Sequence, residues 1–154
     1  MTGLELGGAA PDFTLRDQFG QDVTLSSFRS QKAVAIFFFP FAFSGVCTGE
    51  MAGIRDRLAD FLTFDSEVLA ISCDPVYSLR AFADQDGLNF PLLSDFWPHG
   101  EVCRAFDVFD EKRGCPRRSS YVIDAEGRVR WAVHNAMPEG RDLDEHLKQL
   151  TAVL

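Results

Sequence analysis

Apolar positions along the chain fall into short continuous runs and into stripes with helical spacing. Residues 33–39 and 68–72 are largely unbroken apolar runs, which are typical of strands covered on both faces of a parallel sheet. Pro40 ends the first run, because proline cannot donate to a central ladder. Apolar residues recur every three or four positions over residues 45–62 and again at residues 79–83. Each strand is therefore expected to lead into a helix.

Turn residues and further apolar segments predict the remaining elements. The chain should open with a hairpin-like segment over residues 10–25, and Gly87 should end the second helix. A third strand is predicted at 90–93, a short helix at 102–106, and a hairpin of 120–123 with 129–133 around the turn 124–127. A closing helix should carry on its apolar face Leu143, Leu147, Leu150 and Leu154. The alternation predicts an α/β fold with a mixed central β-sheet flanked by helices. No repeat or linker interrupts residues 1–154, so a single domain is expected.

Composition narrows the possible partners. The chain has 154 residues, a formal net charge of −8 and 46% hydrophobic residues, so it encloses a sizeable core and lacks the basic surface that nucleic-acid binding requires. An acidic residue, Glu5, lies where a signal peptide would carry basic ones, and no stretch approaches the roughly 20 apolar residues of a membrane helix. A soluble, cytoplasmic protein is expected.

Four cysteines occur, at positions 47, 73, 103 and 115, without a C-x-x-C pair. Free thiols in a reducing compartment fit this spacing better than a zinc site or a disulfide framework. For any one of them the plain alternative is a small buried hydrophobe. His99 and Cys103 lie four residues apart, which is half a metal site, but nothing nearby in the sequence completes it. No metal and no cofactor are expected.

Cys47 has a setting that the other cysteines lack. It lies between the end of an apolar strand and the first turn of a helix, the edge at which ligands bind in α/β sheets. Unpaired backbone N–H groups and the helix dipole there favour thiolate over thiol. A cysteine of ordinary pKa is already about 3% ionised at pH 7, so complete ionisation gains only about 30-fold. Fast chemistry at such a cysteine therefore also needs groups that bind the substrate and stabilise the negative charge that develops on it, for which a hydroxyl and a guanidinium are suitable.

The residues around Cys47 resemble a known family. Pro40, Ser44 and Cys47 meet the pattern P-x-x-x-[ST]-x-x-C, with Glu50 three residues later, and this pattern is similar to the active-site motif of the peroxiredoxins. The resemblance extends from residues 10–13 through 94–100 to 118–124. The segments 45–50 and 96–100 are most similar to the alkyl hydroperoxide reductase E subfamily, a one-cysteine type.

The resemblance implies a thioredoxin-like fold and a thiol-dependent peroxidase for antioxidant defence. Hydrogen peroxide, organic hydroperoxides or peroxynitrite would be reduced through a Cys47 sulfenic acid. Pro40 would shield Cys47, Ser44 would donate to the peroxide, Arg118 would hold thiolate and peroxide, and Glu50 would orient that arginine. The resemblance also implies a homodimer and an external thiol reductant, either a mycoredoxin and mycothiol system or a thioredoxin-like protein.

Two positions depart from the family pattern. Ser44 stands where threonine is usual, and Gly49 stands where proline is common. The serine keeps the hydroxyl but loses the methyl group that restricts its rotamer. Composition alone does not distinguish Arg118 from Arg113 and Arg117. The resemblance selects Arg118, because an aromatic and then Val-Ile-Asp follow it at the family's spacing.

Two other functions remain open at this point. A thiol-disulfide oxidoreductase is disfavoured because the positions three residues before and after Cys47 hold Ser44 and Glu50 rather than a second cysteine. A redox sensor or chaperone without turnover is the non-enzymatic alternative.

The sulfenic acid must then be resolved by another thiol. Cys73 and Cys103 are expected to be ordinary buried thiols, whereas Cys115 lies three residues before Arg118 and is the candidate resolving cysteine within the chain. Reduction by an external thiol is the preferred hypothesis.

Overall fold

The computed structural model describes residues 4–154. The strands in this part of the chain are β1 (Thr14–Arg16), β2 (Asp22–Thr24), β3 (Ala33–Phe38), β4 (Ser66–Ser72), β5 (Leu92–Ser94), β6 (Phe109–Asp110), β7 (Cys115–Pro116), β8 (Arg118–Ile123) and β9 (Val129–Asn135). Seven of them form one mixed sheet in the order β2-β1-β5-β4-β3-β8-β9, and β6 pairs with β7 in a separate ribbon. β3 and β4 pair in parallel, and β3 and β8 pair antiparallel. The predicted α/β class with a mixed central sheet is confirmed.

Within the described residues, five α-helices lie outside the sheet. They are α1 (Gly45–Asp56), α2 (Leu58–Phe61), α3 (Val76–Asp86), α4 (Glu101–Ala105) and α5 (Leu143–Thr151), with a short 3₁₀ helix over Leu25–Phe28. No helix within residues 4–154 is long and apolar enough to cross a lipid bilayer.

Burial of β3 on both faces explains why its sequence is an unbroken apolar run. Its six residues are all buried, and alternate side chains enter different core layers because strand residues point to opposite faces. Phe37 packs in one layer with Met51 of α1, and the adjacent Phe38 packs in the other with Phe106 beyond α4. These are called below the Phe37 layer and the Phe38 layer.

Several predicted boundaries were wrong. The single helix expected over 45–62 ends at Asp56 and restarts at Leu58, because Arg57 has φ −113° and ψ 19°. The break rotates the apolar face, so that Phe61 is buried whereas Leu62 is 36% exposed. Leu154 lies beyond α5 and is exposed rather than packed.

Other predicted features agree with the structure. Gly87 ends α3 in the left-handed conformation, with φ 64°, as a C-terminal glycine commonly does. The hairpin of β8 with β9 forms around the turn at 124–127, in which Gly127 has φ 82°. The ribbon of β6 and β7 was not predicted, since two-residue strands carry no readable periodicity.

Candidate active site

Cys47 is buried in the first turn of α1, directly beyond the carboxyl end of β3. Phe39 still donates its backbone N–H to Ile71 O at 2.9 Å, and the chain then leaves the sheet at Pro40, which is also buried. Phe43 has φ 69°, a left-handed conformation that is uncommon for an aromatic residue. This turn directs α1 back over the sheet and places the Cys47 sulfur in the Phe37 layer.

The antiparallel pairing of β8 with β3 brings Arg118 to the same sheet edge. Ser119 is the partner of Phe38, the last residue of β3, so Arg118 lies one position beyond the end of that strand. Its Nη1 donates to Cys47 Sγ at 3.4 Å, and its Nε donates to Met137 O at 2.9 Å. The side chain is 3% exposed. Arg118 is therefore held against the sulfur out of water.

Glu50 lies one helical turn after Cys47, so both side chains share a face of α1. Its Oε1 accepts a short hydrogen bond from Arg118 Nη1. The carboxylate is 6% exposed, and burying it requires paired donors. Glu50 fixes the guanidinium that contacts the sulfur.

Arg141, which sequence reasoning did not identify, supplies a second buried guanidinium. Its Nη1 donates to Glu50 Oε1 at 2.8 Å, its Nε donates to Ser120 Oγ at 2.9 Å, and its Nη2 donates to Phe38 O. Complete burial lowers its pKa to about 10, and Glu50 partly opposes that shift. In the sequence it stands in a polar stretch after β9, where it resembles a solvated surface charge.

The charges in this pocket do not cancel without an anion. Two arginines surround one carboxylate, which leaves one positive charge in excess beside Cys47 Sγ. Buried charges require compensation. The pocket therefore suits an anionic group at the sulfur, whether a thiolate or the oxygen leaving a peroxide.

Ser44 occupies the N-cap position of α1 but does not cap it with its side chain. Its Oγ donates instead to Phe41 O at 3.0 Å, and its backbone carbonyl accepts the first helical bond from Thr48 at 2.8 Å. The hydroxyl is half-buried, three residues before Cys47. The hydroxyl therefore makes no hydrogen bond to the backbone N–H groups at the start of α1.

Asp74, just beyond β4, fixes the loop that precedes Cys47. Its Oδ2 accepts from Ala42 N at 2.9 Å and from Ser72 Oγ at 2.7 Å. The sequence did not predict this role of Asp74. An acidic residue directly after a strand is common, so its position alone does not single it out.

The other three cysteines are free thiols and buried. Cys115 lies in β7 opposite Asp110, and burial, followed by the charge of Asp110, raises the pKa of its thiol to about 12. Cys73 and Cys103 lie 3.9 Å apart, sulfur to sulfur. The ring nitrogens of His99 contact Phe96 O and Gly114 O, so they are already engaged with backbone carbonyls.

Comparison with known proteins agrees with this geometry. Residues 6–132 match the AhpC/TSA family. The chain is 48% identical over 139 residues to alkyl hydroperoxide reductase E of Mycobacterium tuberculosis, covering 90% of this chain and 91% of the relative. It is 36% identical over 154 residues to peroxiredoxin 2 of Thermoplasma acidophilum, covering 96% and 75%.

Solved structures give the same result. The crystal structure of peroxidoxin BcpB from Mycobacterium tuberculosis superposes with a TM-score of 0.85 at 31% identity, covering 100% of this chain and 99% of that one. That of AhpC from Enterococcus faecalis gives a TM-score of 0.87 at 28% identity, covering 99% and 92%.

The fold is thioredoxin-like, with a cysteine and an arginine in contact at the carboxyl edge of its sheet. The protein is a thiol-dependent peroxidase of antioxidant defence. It belongs to the AhpC/TSA family of peroxiredoxins.

Proposed function

We propose that Cys47 is the residue that attacks the peroxide. The observation that carries this proposal is the 3.4 Å contact between Arg118 Nη1 and Cys47 Sγ, in a pocket with excess positive charge. Cys47 is the cysteine that combines this contact with a position in the first turn of a helix. Cys115 lacks that setting, and its raised pKa keeps it protonated near neutral pH.

In the proposed reaction, the Cys47 thiolate attacks one peroxide oxygen and the O–O bond breaks. The sulfur becomes a sulfenic acid. The departing oxygen takes a proton and leaves as water from hydrogen peroxide or as an alcohol from an organic hydroperoxide, whereas peroxynitrite leaves as nitrite. Arg118 donates to the oxygens as charge builds on them, which is where a fixed donor accelerates the reaction. The Ser44 hydroxyl contributes a further donor by turning from Phe41 O, Pro40 shields the sulfur, and Glu50 holds Arg118.

Hydrogen peroxide, organic hydroperoxides and peroxynitrite are the proposed substrates. Similarity to alkyl hydroperoxide reductase E supports the organic hydroperoxides in particular. Stopped-flow oxidation of the reduced protein by each peroxide would rank them. Equally slow oxidation of the protein by all three peroxides would contradict the proposal.

An external thiol is proposed to reduce the sulfenic acid. Resolution by Cys115 is disfavoured because a buried thiol with a pKa of about 12 presents little thiolate for attack. The reductant is a mycoredoxin and mycothiol system or a thioredoxin-like protein in the cytoplasm. Peptide mapping after one equivalent of peroxide should show a mixed disulfide of Cys47 with the added thiol, whereas a stoichiometric disulfide between Cys47 and Cys115 would contradict this route.

The central experiment compares two single substitutions. Cys47→Ser should abolish peroxide consumption, whereas Cys115→Ser, which changes another buried cysteine, should keep most of the rate. Circular dichroism would establish that both variants fold. A normal rate in Cys47→Ser would refute the assignment.

A homodimer is proposed through an aromatic surface near the active-site loop. Trp97 and Tyr77 are 82% and 88% exposed, and with Phe19, Pro75 and Arg80 they border a groove of about 800 Å³. Such contiguous aromatic exposure is typical of an interface. Light scattering should give twice the mass of one chain, with Tyr77→Glu monomeric. Phe64→Glu, at a site 93% exposed near the start of β4, should stay dimeric.

A further inference from the structure

Cys73 and Cys103 bring two sulfurs together on the side of the sheet away from Cys47. Their Sγ atoms are 3.9 Å apart. Both side chains belong to the Phe38 layer, whereas Cys47 belongs to the Phe37 layer. Cys103 is fully buried and Cys73 is 6% exposed. The pair is thus separated by the sheet from the peroxidase site.

One aspartate places the two cysteines against each other. Asp95 donates its backbone N–H to Ser72 O at 2.8 Å, next to Cys73. Its carboxylate accepts from Val102 N at 3.1 Å and from Cys103 N at 2.8 Å, at the start of α4. Asp95 therefore joins the end of β4 to the short helix that carries Cys103.

We propose that Cys73 and Cys103 are a second redox site, a dithiol that hydroperoxides oxidise to an intramolecular disulfide. The sulfurs must approach from 3.9 Å to about 2.05 Å. Cys73 lies just outside the β4 ladder, and Cys103 lies in a helix of five residues. Neither residue takes part in the pairs of the central sheet.

Oxidation of the two thiols to a disulfide requires no oxidant other than the peroxide. Cys73, the more accessible thiol, attacks a peroxide oxygen; the O–O bond breaks, and the leaving oxygen takes the thiol proton and departs as alcohol or water. Cys103 Sγ then attacks the Cys73 sulfenic sulfur. The S–S bond forms, the S–O bond breaks, and the hydroxide takes the Cys103 proton and leaves as water. Two thiols lose two electrons and two protons to one peroxide.

A bound cation is the competing use of this cluster, because ligand atoms of Cys73, Asp95 and Cys103 all lie within 4.8 Å of one another. The surroundings of Asp95 disfavour a bound cation. Both carboxylate oxygens of Asp95 already accept backbone N–H groups of α4, and the amino end of a helix favours anions over cations. The dithiol accounts for the sulfur contact without this conflict.

Oxidation of this pair should be slow. Burial first, and then contacts with Cys73 and Asp95, raise the pKa of the Cys103 thiol far above its ordinary range, so the attacking thiolate is scarce. The site would respond to sustained peroxide over minutes to hours, the usual range for disulfide formation without a catalyst. It would take no part in rapid turnover at Cys47.

The test uses a Cys47→Ser chain exposed to excess hydrogen peroxide, so that its outcome does not depend on the role of Cys47. Three thiols remain in this chain. Thiol titration after denaturation should fall from three to one, and tryptic mapping should recover Cys73 linked to Cys103. The disulfide would close the chain between Cys73 and Cys103, which are 30 residues apart. This constraint should raise Tm by roughly 5 to 10 °C, and dithiothreitol should reverse the rise.

Matched variants decide between the outcomes. Adding Cys115→Ser should leave the disulfide intact, whereas adding Cys73→Ser should abolish it and the rise in Tm. The same linkage mapped in the unmutated chain keeps the test valid should a variant fail to fold. Unreacted thiols in a folded protein, a linkage of Cys103 to Cys115, or one equivalent of retained zinc would each overturn the proposal.

Discussion

Arg141 binds Glu50 through both carboxylate oxygens. Its backbone N–H donates to Oε2 at 2.7 Å, and its Nη1 donates to Oε1 at 2.8 Å. The same Oε1 accepts from Arg118. The guanidinium that contacts Cys47 is thus positioned by a carboxylate that a second arginine, from the segment after β9, holds in place.

Glu50→Gln should destabilise the protein by about 3 to 5 kcal/mol, because it leaves two buried guanidinium groups without a carboxylate. Urea unfolding would measure the loss. Asp84→Asn serves as the control, since the pair of Arg80 with Asp84 is more than half exposed on both sides and should change stability by less than about 1 kcal/mol. Equal effects of the two substitutions would show that the buried network adds nothing.

Arg118→Ala should slow oxidation of Cys47 by more than the roughly 30-fold that loss of thiolate explains. The arginine contacts the sulfur, and in the proposed reaction it also stabilises the leaving oxygen, so raising the pH should not restore the rate. Stopped-flow rates from pH 6 to 10 would measure this. Arg113→Ala, an exposed arginine paired with Asp110, should react normally. Full recovery of Arg118→Ala at high pH would limit its role to ionisation of the thiol.

Asp74→Ala should slow the same step by up to about 100-fold, because small displacements of reacting groups are costly. The Ala42 N–H would lose its acceptor, and the loop that leads to Cys47 would loosen. Asp74→Asn keeps an acceptor oxygen and should retain most of the rate. Stopped-flow oxidation with both variants would check this, and equal rates in Asp74→Ala and the unmutated chain would exclude such a role for the loop anchor.

Local patterns predicted the fold well where one element decided its own structure. The run at 33–39 predicted β3, and Gly87 predicted the end of α3. The break at Arg57 was missed because apolar spacing continues across it. A periodic pattern specifies a helical face but not an interruption within it.

The candidate site residues likewise differ in whether a local sequence pattern can identify them. Pro40, Ser44, Cys47 and Glu50 stand close together in the chain, so a motif could identify them. Arg141 and Asp74 reach the pocket only through strand pairing and chain reversal. The contact of Cys73 with Cys103 depends likewise on Asp95 joining two elements, and no spacing in the sequence encodes it.

A chain of hydrogen bonds extends the arginine network to His146 of α5. His146 Nδ1 contacts Asp142 O at 2.6 Å, and a carbonyl can only accept, so Nδ1 carries the proton. Nε2 is then the acceptor in the neutral ring, and Ser120 Oγ donates to it at 2.8 Å. Ser120 in turn accepts from Arg141. Protonating His146 would turn Nε2 from an acceptor into a donor, so the Ser120 hydroxyl hydrogen would lose its acceptor.

Acid should therefore destabilise the protein through His146. Burial, together with the charge of Arg141, lowers its pKa to about 4, below the value of about 6.5 in an unfolded chain. Because the folded pKa is the lower one, the unfolded state binds the proton first, and stability present above pH 6.5 is lost as the pH falls toward 4. The expected loss is on the order of 3 kcal/mol. Urea unfolding at pH 7, 5.5 and 4.5 would measure it.

His146→Gln is the matched variant, since its side-chain oxygen can accept from Ser120 without titrating in this range. It should be less stable than the unmutated chain at pH 7, because the contact with Asp142 O and the stacking on Phe37 are reduced. Its stability should nevertheless fall less steeply with acid, so that the two curves converge toward pH 4. Parallel curves for the two proteins would assign the acid sensitivity to other groups.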